Sequence, residues 1–228
     1  MNITLAFDVY GTLIDTHGLV QQLGILVGDK AQAFSNSWRE KQLEYSFRRA
    51  LMKNYQPFFK CTRSALEYAC KLHQVDLSAE QKSELLALYS ELPAFSDTLS
   101  GLSALDRNQF NPYAFSNGTE GAVRKLLQAS DTEQYLLDVV SVDDLQTFKP
   151  DPAVYDYFLQ RSAATKEQTW LISSNPFDVI GALNFGMQAA WVKRSESALF
   201  DDWELSPTLV VNSLEHIGEQ ILEKSASV

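Results

Sequence analysis

Four short stretches hold the side chains of this sequence that could do chemistry together. They are Phe7-Asp8-Val9-Tyr10-Gly11-Thr12-Leu13, Ser116-Asn117-Gly118, Lys149-Pro150, and Ser173-Ser174-Asn175-Pro176-Phe177-Asp178. Between them they offer a carboxylate able to act as a nucleophile, hydroxyls and amides able to hold an anion, a fixed cation, and a second carboxylate able to move a proton. Taken singly, none is specific. A lone Asp8 after an apolar run most often closes an Asx-turn or caps the next segment, and Thr12, Tyr155 or Ser173 alone is more often a structural hydrogen bonder. The recurrence of such groups at successive strand ends gives the set its meaning.

Each stretch follows an apolar run too short for a helix. The runs are 3–7, 111–115, 138–142 and 169–172; the first is cut off by Gly11, the second and fourth stop at Ser116 and Ser173, and the third reaches Lys149-Pro150 after a short loop. Helical patterns follow over 121–128, 153–161 and 179–185, with later strands at 188–192 and 209–211 and a closing helix at 214–224. Strand and helix alternating in this way predict an α/β fold, a Rossmann-like parallel sheet with helices on both faces. Ligands of such sheets sit at the carboxyl ends of the strands, where all four stretches fall.

The period changes between residues 15 and 92. Residues 31–53 lack Pro and Gly and space Phe34, Trp38, Leu43, Phe47 and Leu51 mostly as a helix does. A second helix is predicted over 64–73. A third spans 78–90, opened by Ser78 and Gln81 at capping-box spacing. Residues 15–92 are therefore expected to form an α-helical cap inserted into a core made of 1–14 and 93–228, with Pro93 marking the return.

The 228 residues, 45% of them hydrophobic, supply ample core. With 29 acidic against 19 basic residues and no Lys/Arg block, neither nucleic acid nor an anionic membrane is an expected partner. No apolar run approaches bilayer length and the first residues lack a secretory pattern, so a cytoplasmic protein is expected. Cys61 and Cys70 read as buried free thiols. His17, His73 and His216 are scattered and support no histidine metal site.

In order and spacing, Asp8 with Gly11-Thr12-Leu13, Ser116-Asn117-Gly118, Lys149-Pro150 and the Ser173 to Asp178 loop resemble the four motifs of the haloacid dehalogenase superfamily. Tyr10-Gly11-Thr12 after the first carboxylate is similar to the type II L-2-haloacid dehalogenases within it. The resemblance spans nearly the whole chain. It implies hydrolysis of short (S)-2-haloacids to (R)-2-hydroxy acids and halide through an ester on Asp8, with inversion. It also implies a homodimer.

Under the same resemblance Arg39, in Ser37-Trp38-Arg39-Glu40, reaches from the cap to take up charge on the departing halogen, while Lys149 supplies the charge opposite to Asp8. On a charged helix an arginine would otherwise be read as surface. Leu43 and Phe58 would line an apolar pocket over the reacting carbon, with Phe177 setting its width where a larger aromatic is expected. Ser116 and the backbone amides of Val9 and Tyr10 would hold the substrate carboxylate, with Asn117 beside them. Thr12, Tyr155, Ser173 and Asn175 would order Asp8 and the water of the second step, and Asp178 would be the base for that water or the orienter of Lys149. Glu40 is expected to turn away from the pocket, within reach of Lys41.

Two departures separate the chain from phosphatases of the superfamily. Tyr10 stands where they carry an acid to protonate a leaving oxygen, and Ser173-Ser174 stand where they carry a magnesium-holding Asp. Halide leaves without a proton, and a monoanionic acid needs no divalent ion to offset it, so no metal and no cofactor are expected. A magnesium-dependent small-molecule phosphatase and a catalytically silent binder of small acids remain the alternatives.

Overall fold

The structure, a computed structural model, describes residues 2–201 and 203–226. Six strands form one sheet: β1 (Ile3–Asp8), β2 (Phe110–Ser116), β3 (Val139–Ser141), β4 (Thr169–Ser173), β5 (Gln188–Val192) and β6 (Leu209–Val211). All pairs are parallel, in the order β3-β2-β1-β4-β5-β6. Buried on both faces, β1 can read as a continuous apolar run. The order reverses beside β1: β2 and β3 build outward on one side, β4 to β6 on the other. A crevice must open at that switch point, and Asp8 is the last residue of the strand there.

Right-handed crossovers put the helices of the two halves on opposite faces. The helices are α1 (Val20–Val27), α2 (Ala31–Leu51), α3 (Phe58–His73), α4 (Ala79–Tyr89), α5 (Thr98–Ser103), α6 (Glu120–Ala129), α7 (Pro152–Ser162), α8 (Pro176–Phe185) and α9 (Ile217–Ala226). α7 and α8 pack together on one face. On the other, Gly218 of α9 lies against Leu105 and Phe110, and Gly101 of α5 against the Leu214 backbone.

Helices α1 to α4 all fall between β1 and α5. The chain leaves the sheet and returns side by side: Ile14 bridges Ala94, the Asp15 N–H donates to Pro93 O at 2.8 Å, and the Phe95 N–H to Leu13 O at 3.0 Å. One apolar cluster nevertheless runs unbroken from Leu5, Phe115 and Ile172 in the sheet to Phe34, Trp38 and Leu85 in these helices.

The Ser78 and Gln81 capping box is present. α3 begins at Phe58 rather than at residue 64, because extended Pro57 (φ −51°, ψ 147°) serves as its N-cap and frees the next residue to start the turn. Helices α1 and α5 carry Gly24 and Gly101, residues that weaken a helical pattern in sequence, and neither is predicted from it. Cys61 and Cys70 are free and buried. Among the described residues, no helix is long and apolar enough to cross a membrane.

Candidate active site

Asp8 ends β1 in register with Phe115, which puts Ser116 one step beyond it on β2; Phe7 pairs with Ile172, which puts Ser173 level with it on β4. Parallel pairing thus carries three of the four stretches to one rim. The chain turns at once after Asp8. The Thr12, Leu13 and Ile14 N–H groups all donate to Val9 O, and the Gly11 N–H donates to Ile14 O. Gly11 has φ +89°, a conformation that suits glycine, and a Cβ there would sit 3.4 Å from Ser174 Oγ.

The two oxygens of Asp8 have different surroundings. Oδ2 accepts from Asn175 Nδ2 at 2.7 Å, Thr12 Oγ1 at 2.9 Å and Ser173 Oγ at 3.3 Å. Oδ1 faces Lys149 Nζ at 3.2 Å. Neighbouring bonds fix these directions. The Thr12 hydroxyl already accepts from the Ser174 N–H at 2.8 Å, and Ser173 Oγ accepts from the Asn175 N–H at 3.1 Å. Asn175 Oδ1 accepts from Arg39 Nη2 at 3.3 Å, so its NH2 must face Asp8 and Tyr10 O.

Lys149 is almost fully buried, at 1% exposure, and each ammonium proton has a partner: Asp8 Oδ1, Phe115 O at 2.8 Å and Asp178 Oδ2 at 2.8 Å. The Phe115 ring lies 4.1 Å away. Asp178, in the first turn of α8, is completely buried and also accepts from Tyr155 OH at 2.9 Å. Burial pushes its carboxyl up to about 6, against the lowering effect of Lys149 and with the Asp8 charge adding to the rise. The Tyr155 phenol is raised well above its ordinary value by its own burial and by Asp178.

From α2, Arg39 sends Nη2 to Tyr10 O at 3.1 Å and Nη1 to Gln42 Oε1 at 2.8 Å. Leu43 and Phe47 follow at four-residue steps on the same side of the helix; Leu43 is half-buried, and Phe47 meets Phe177 edge-on at 5.0 Å between ring centres. Phe58, at the start of α3, packs against Tyr10 at 5.8 Å and Phe148 at 6.0 Å. Phe58 and Tyr10 are buried.

Of the sequence-predicted residues, Thr12, Lys149, Ser173 and Asn175 bond Asp8 directly, and Asp178 and Arg39 join it through Lys149 and Asn175; three details differ from expectation. Tyr155 packs edge-on against Phe115 of β2 at 5.9 Å and donates its OH to Asp178, not to Asp8. Asn117 turns its carbonyl to the Lys149 N–H at 2.9 Å and so ties the second stretch to the third; Ser116 Oγ beside it accepts from the Gly118 N–H at 3.1 Å. Glu40 is exposed, as expected, but Lys41 pairs with Glu44, one helical turn along.

Other residues at the site have no sequence signal. Gly181 is needed because a Cβ there would come 2.3 Å from Tyr155 OH. Arg194 donates to Thr12 O at 2.5 Å and pairs with Asp97 at 2.6 Å, holding the turn from outside. Buried Gln42 bonds to Arg39, and the sequence hides it among the charged residues around it. No group of three His, Cys, Asp or Glu placed to hold a metal ion occurs among the described residues.

A parallel α/β sheet with a buried, hydrogen-bonded aspartate at its switch point, faced by a lysine and a second aspartate, defines a hydrolase scaffold built around one carboxylate. The profile of the haloacid dehalogenase-like hydrolases matches residues 4–186, and the chain belongs to that family. It is 33% identical over 218 residues to an (S)-2-haloacid dehalogenase of Pseudomonas putida, covering 96% of each chain. The L-2-haloacid dehalogenase of Xanthobacter autotrophicus superposes with a TM-score of 0.90 at 26% identity, over 98% of this chain and 99% of that one. The same enzyme with chloropropionic acid covalently bound superposes at 0.89, also at 26% identity, over 97% and 99%.

Proposed function

We propose that the chain hydrolyses the carbon-halogen bond of short (S)-2-haloacids, giving (R)-2-hydroxy acids and halide. The observation that carries this reading is the asymmetry of Asp8: three neutral donors on Oδ2 and one ammonium on Oδ1. Its relatives' activity and the covalently bound acid in one of them support it.

Oδ1, with the fewer donors, attacks the α-carbon from the side opposite the halogen. The carbon-halogen pair leaves with the halide, and the carbon inverts. Arg39 stabilises the charge on the departing halogen, and Ser116 with the Val9 and Tyr10 amides holds the acid's carboxylate. Two anions have to meet here, so Lys149 and Arg39 offset their repulsion. Leu43, Phe58 and Phe177 enclose the alkyl part, and the helices α1 to α4 act as a cap that must lift to admit it.

Water then attacks the carbonyl carbon of the ester. One of its protons passes to Asp178, and the negative charge developing on Oδ2 meets the donors of Thr12, Ser173 and Asn175, already in place. Collapse expels the hydroxy acid oxygen, which takes the proton back from Asp178. Asp8 keeps the water oxygen and loses the remaining proton to solvent. Tyr155 orients Asp178.

The Lys149 ammonium beside Asp8 Oδ1 offsets its charge, and with Ser173-Ser174 where the phosphatases carry a magnesium-holding Asp, this donor set suits an anionic substrate without a metal. Halide release from L-2-chloropropionate is the test. It is expected to survive a strong chelator, and to fall on the order of 10⁴-fold or more in Asp8→Asn, which keeps the shape but removes the nucleophile. Loss of turnover on chelation with phosphate release restored by magnesium would favour a phosphatase. Acid binding without halide release would leave only a binder.

A further inference from the structure

The reading above places a guanidinium at the leaving halogen, yet a flexible arginine stabilises a transition state only if held before the reaction begins. We infer that Gln42 is the positioning residue that fixes Arg39 for halide departure. The inference rests on the proposed dehalogenation.

Gln42 is fully buried, unusual for an amide on a helix with this many charges. All its bonds have one consistent sense. Oε1 accepts from Arg39 Nη1 at 2.8 Å and from Tyr89 OH at 2.9 Å, while Nε2 donates to Thr62 Oγ1 at 2.5 Å. The Thr62 hydroxyl is an acceptor there because its own proton goes to Phe58 O at 3.2 Å. Flipping the amide would turn an NH2 toward the Arg39 cation and leave the carbonyl facing the Thr62 oxygen, so one orientation is selected.

The anchor is itself rigid. Trp38, one turn before Gln42, donates Nε1 to Thr62 O at 2.8 Å, so α2 grips the same residue of α3 by main chain and side chain. Tyr89 comes from α4 and stacks on Tyr10 at 6.0 Å between ring centres. Three helices thus converge on one amide, and the amide holds one side of the guanidinium. Its other side is held at the rim, by Tyr10 O and Asn175. Gln42 is the support for Arg39 that comes from the insertion.

A residue that merely filled space would affect all substrates alike. A residue that places the halogen's partner must matter more for the poorer leaving group, which depends more on that partner. Single-turnover halide release from 2-chloropropionate and 2-bromopropionate reads this directly, since it reports ester formation only. In Gln42→Met the bromide-to-chloride rate ratio is expected to rise about tenfold over the unsubstituted enzyme. Gln42→Glu keeps the bond but cancels the charge of Arg39, and is expected to raise the ratio as well.

Thr62→Val frees the far end of the amide with little change of shape; it is expected to shift the ratio the same way, by less, and gives the reading if Gln42→Met does not fold. An equal slowing of both substrates, or an unchanged ratio in the folded variants, overturns the inference. An unsubstituted enzyme that releases neither halide would instead overturn the proposed function itself.

Discussion

The rim of the sheet and the helices α1 to α4 contribute to the site in opposite ways. The rim places two carboxylates, an ammonium, two hydroxyls and an amide within one hydrogen-bonded cluster, all buried except the half-buried Asn175. The helices add one cation, Arg39, with the Gln42 amide behind it, and otherwise aromatic and aliphatic surface such as Phe58 and Phe47. Buried charge of this density needs a scaffold that cannot relax, which a six-stranded parallel sheet provides; apolar enclosure can be lifted and replaced. The rim should therefore set the chemistry, and the helices the choice of acid and leaving group.

After the loss of Asp8 itself, the largest effect expected from breaking that division is in Asp178→Asn. The second step loses its proton acceptor, so kcat falls about 10³-fold and the Asp8 ester accumulates, measurable as a mass adduct on intact protein. The same group gives a pH signature. A protonated carboxyl cannot accept, so kcat should rise with pH along an acid limb, which lies below about 6 because the ester removes the Asp8 charge that helps push the Asp178 carboxyl up to that value; the variant should lose that limb. A variant that keeps the limb would assign it to another group.

Gly181→Ala tests whether the rim depends on support behind it. A methyl group 2.3 Å from Tyr155 OH must displace the tyrosine. Stability should fall by about 1–3 kcal/mol in denaturant melts, with kcat reduced and the chloride-to-bromide preference unaltered. Phe58→Leu, on the helix side, should have the smallest effect. Acids one or two carbons longer should gain roughly tenfold in kcat/KM relative to 2-chloropropionate. A uniform loss of kcat for all acids would show that the helices do more than enclose.

The same contrast governs what the sequence revealed. Strand ends are legible because an apolar run stopped by a chemistry-bearing residue survives in one dimension: Asp8, Ser116, Lys149 and the 173–178 loop could be placed on one rim from pattern alone. Arg39, Leu43, Phe58 and Phe177 were legible only through family resemblance, since an arginine on a charged helix looks like surface. Gln42, Gly181 and Arg194 were not legible at all. Each acts through a contact with a residue distant in sequence, or, for Gln42, through a burial that its charged neighbours conceal. The bond from Tyr155 to Asp178 is not legible either, because nothing in the spacing tells which carboxylate of the cluster the phenol meets.

Which atom donates oxygen to the product decides whether Asp8 bonds to carbon. Enzyme in excess, mixed with (S)-2-chloropropionate in water enriched in heavy oxygen, is quenched after one turnover, and both the lactate and the peptide containing Asp8 are weighed. The expected result is unlabelled lactate and one heavy oxygen on Asp8. Heavy lactate from the first turnover, with Asp8 unlabelled, would mean that water attacks the substrate directly and that the carboxylate is not the nucleophile.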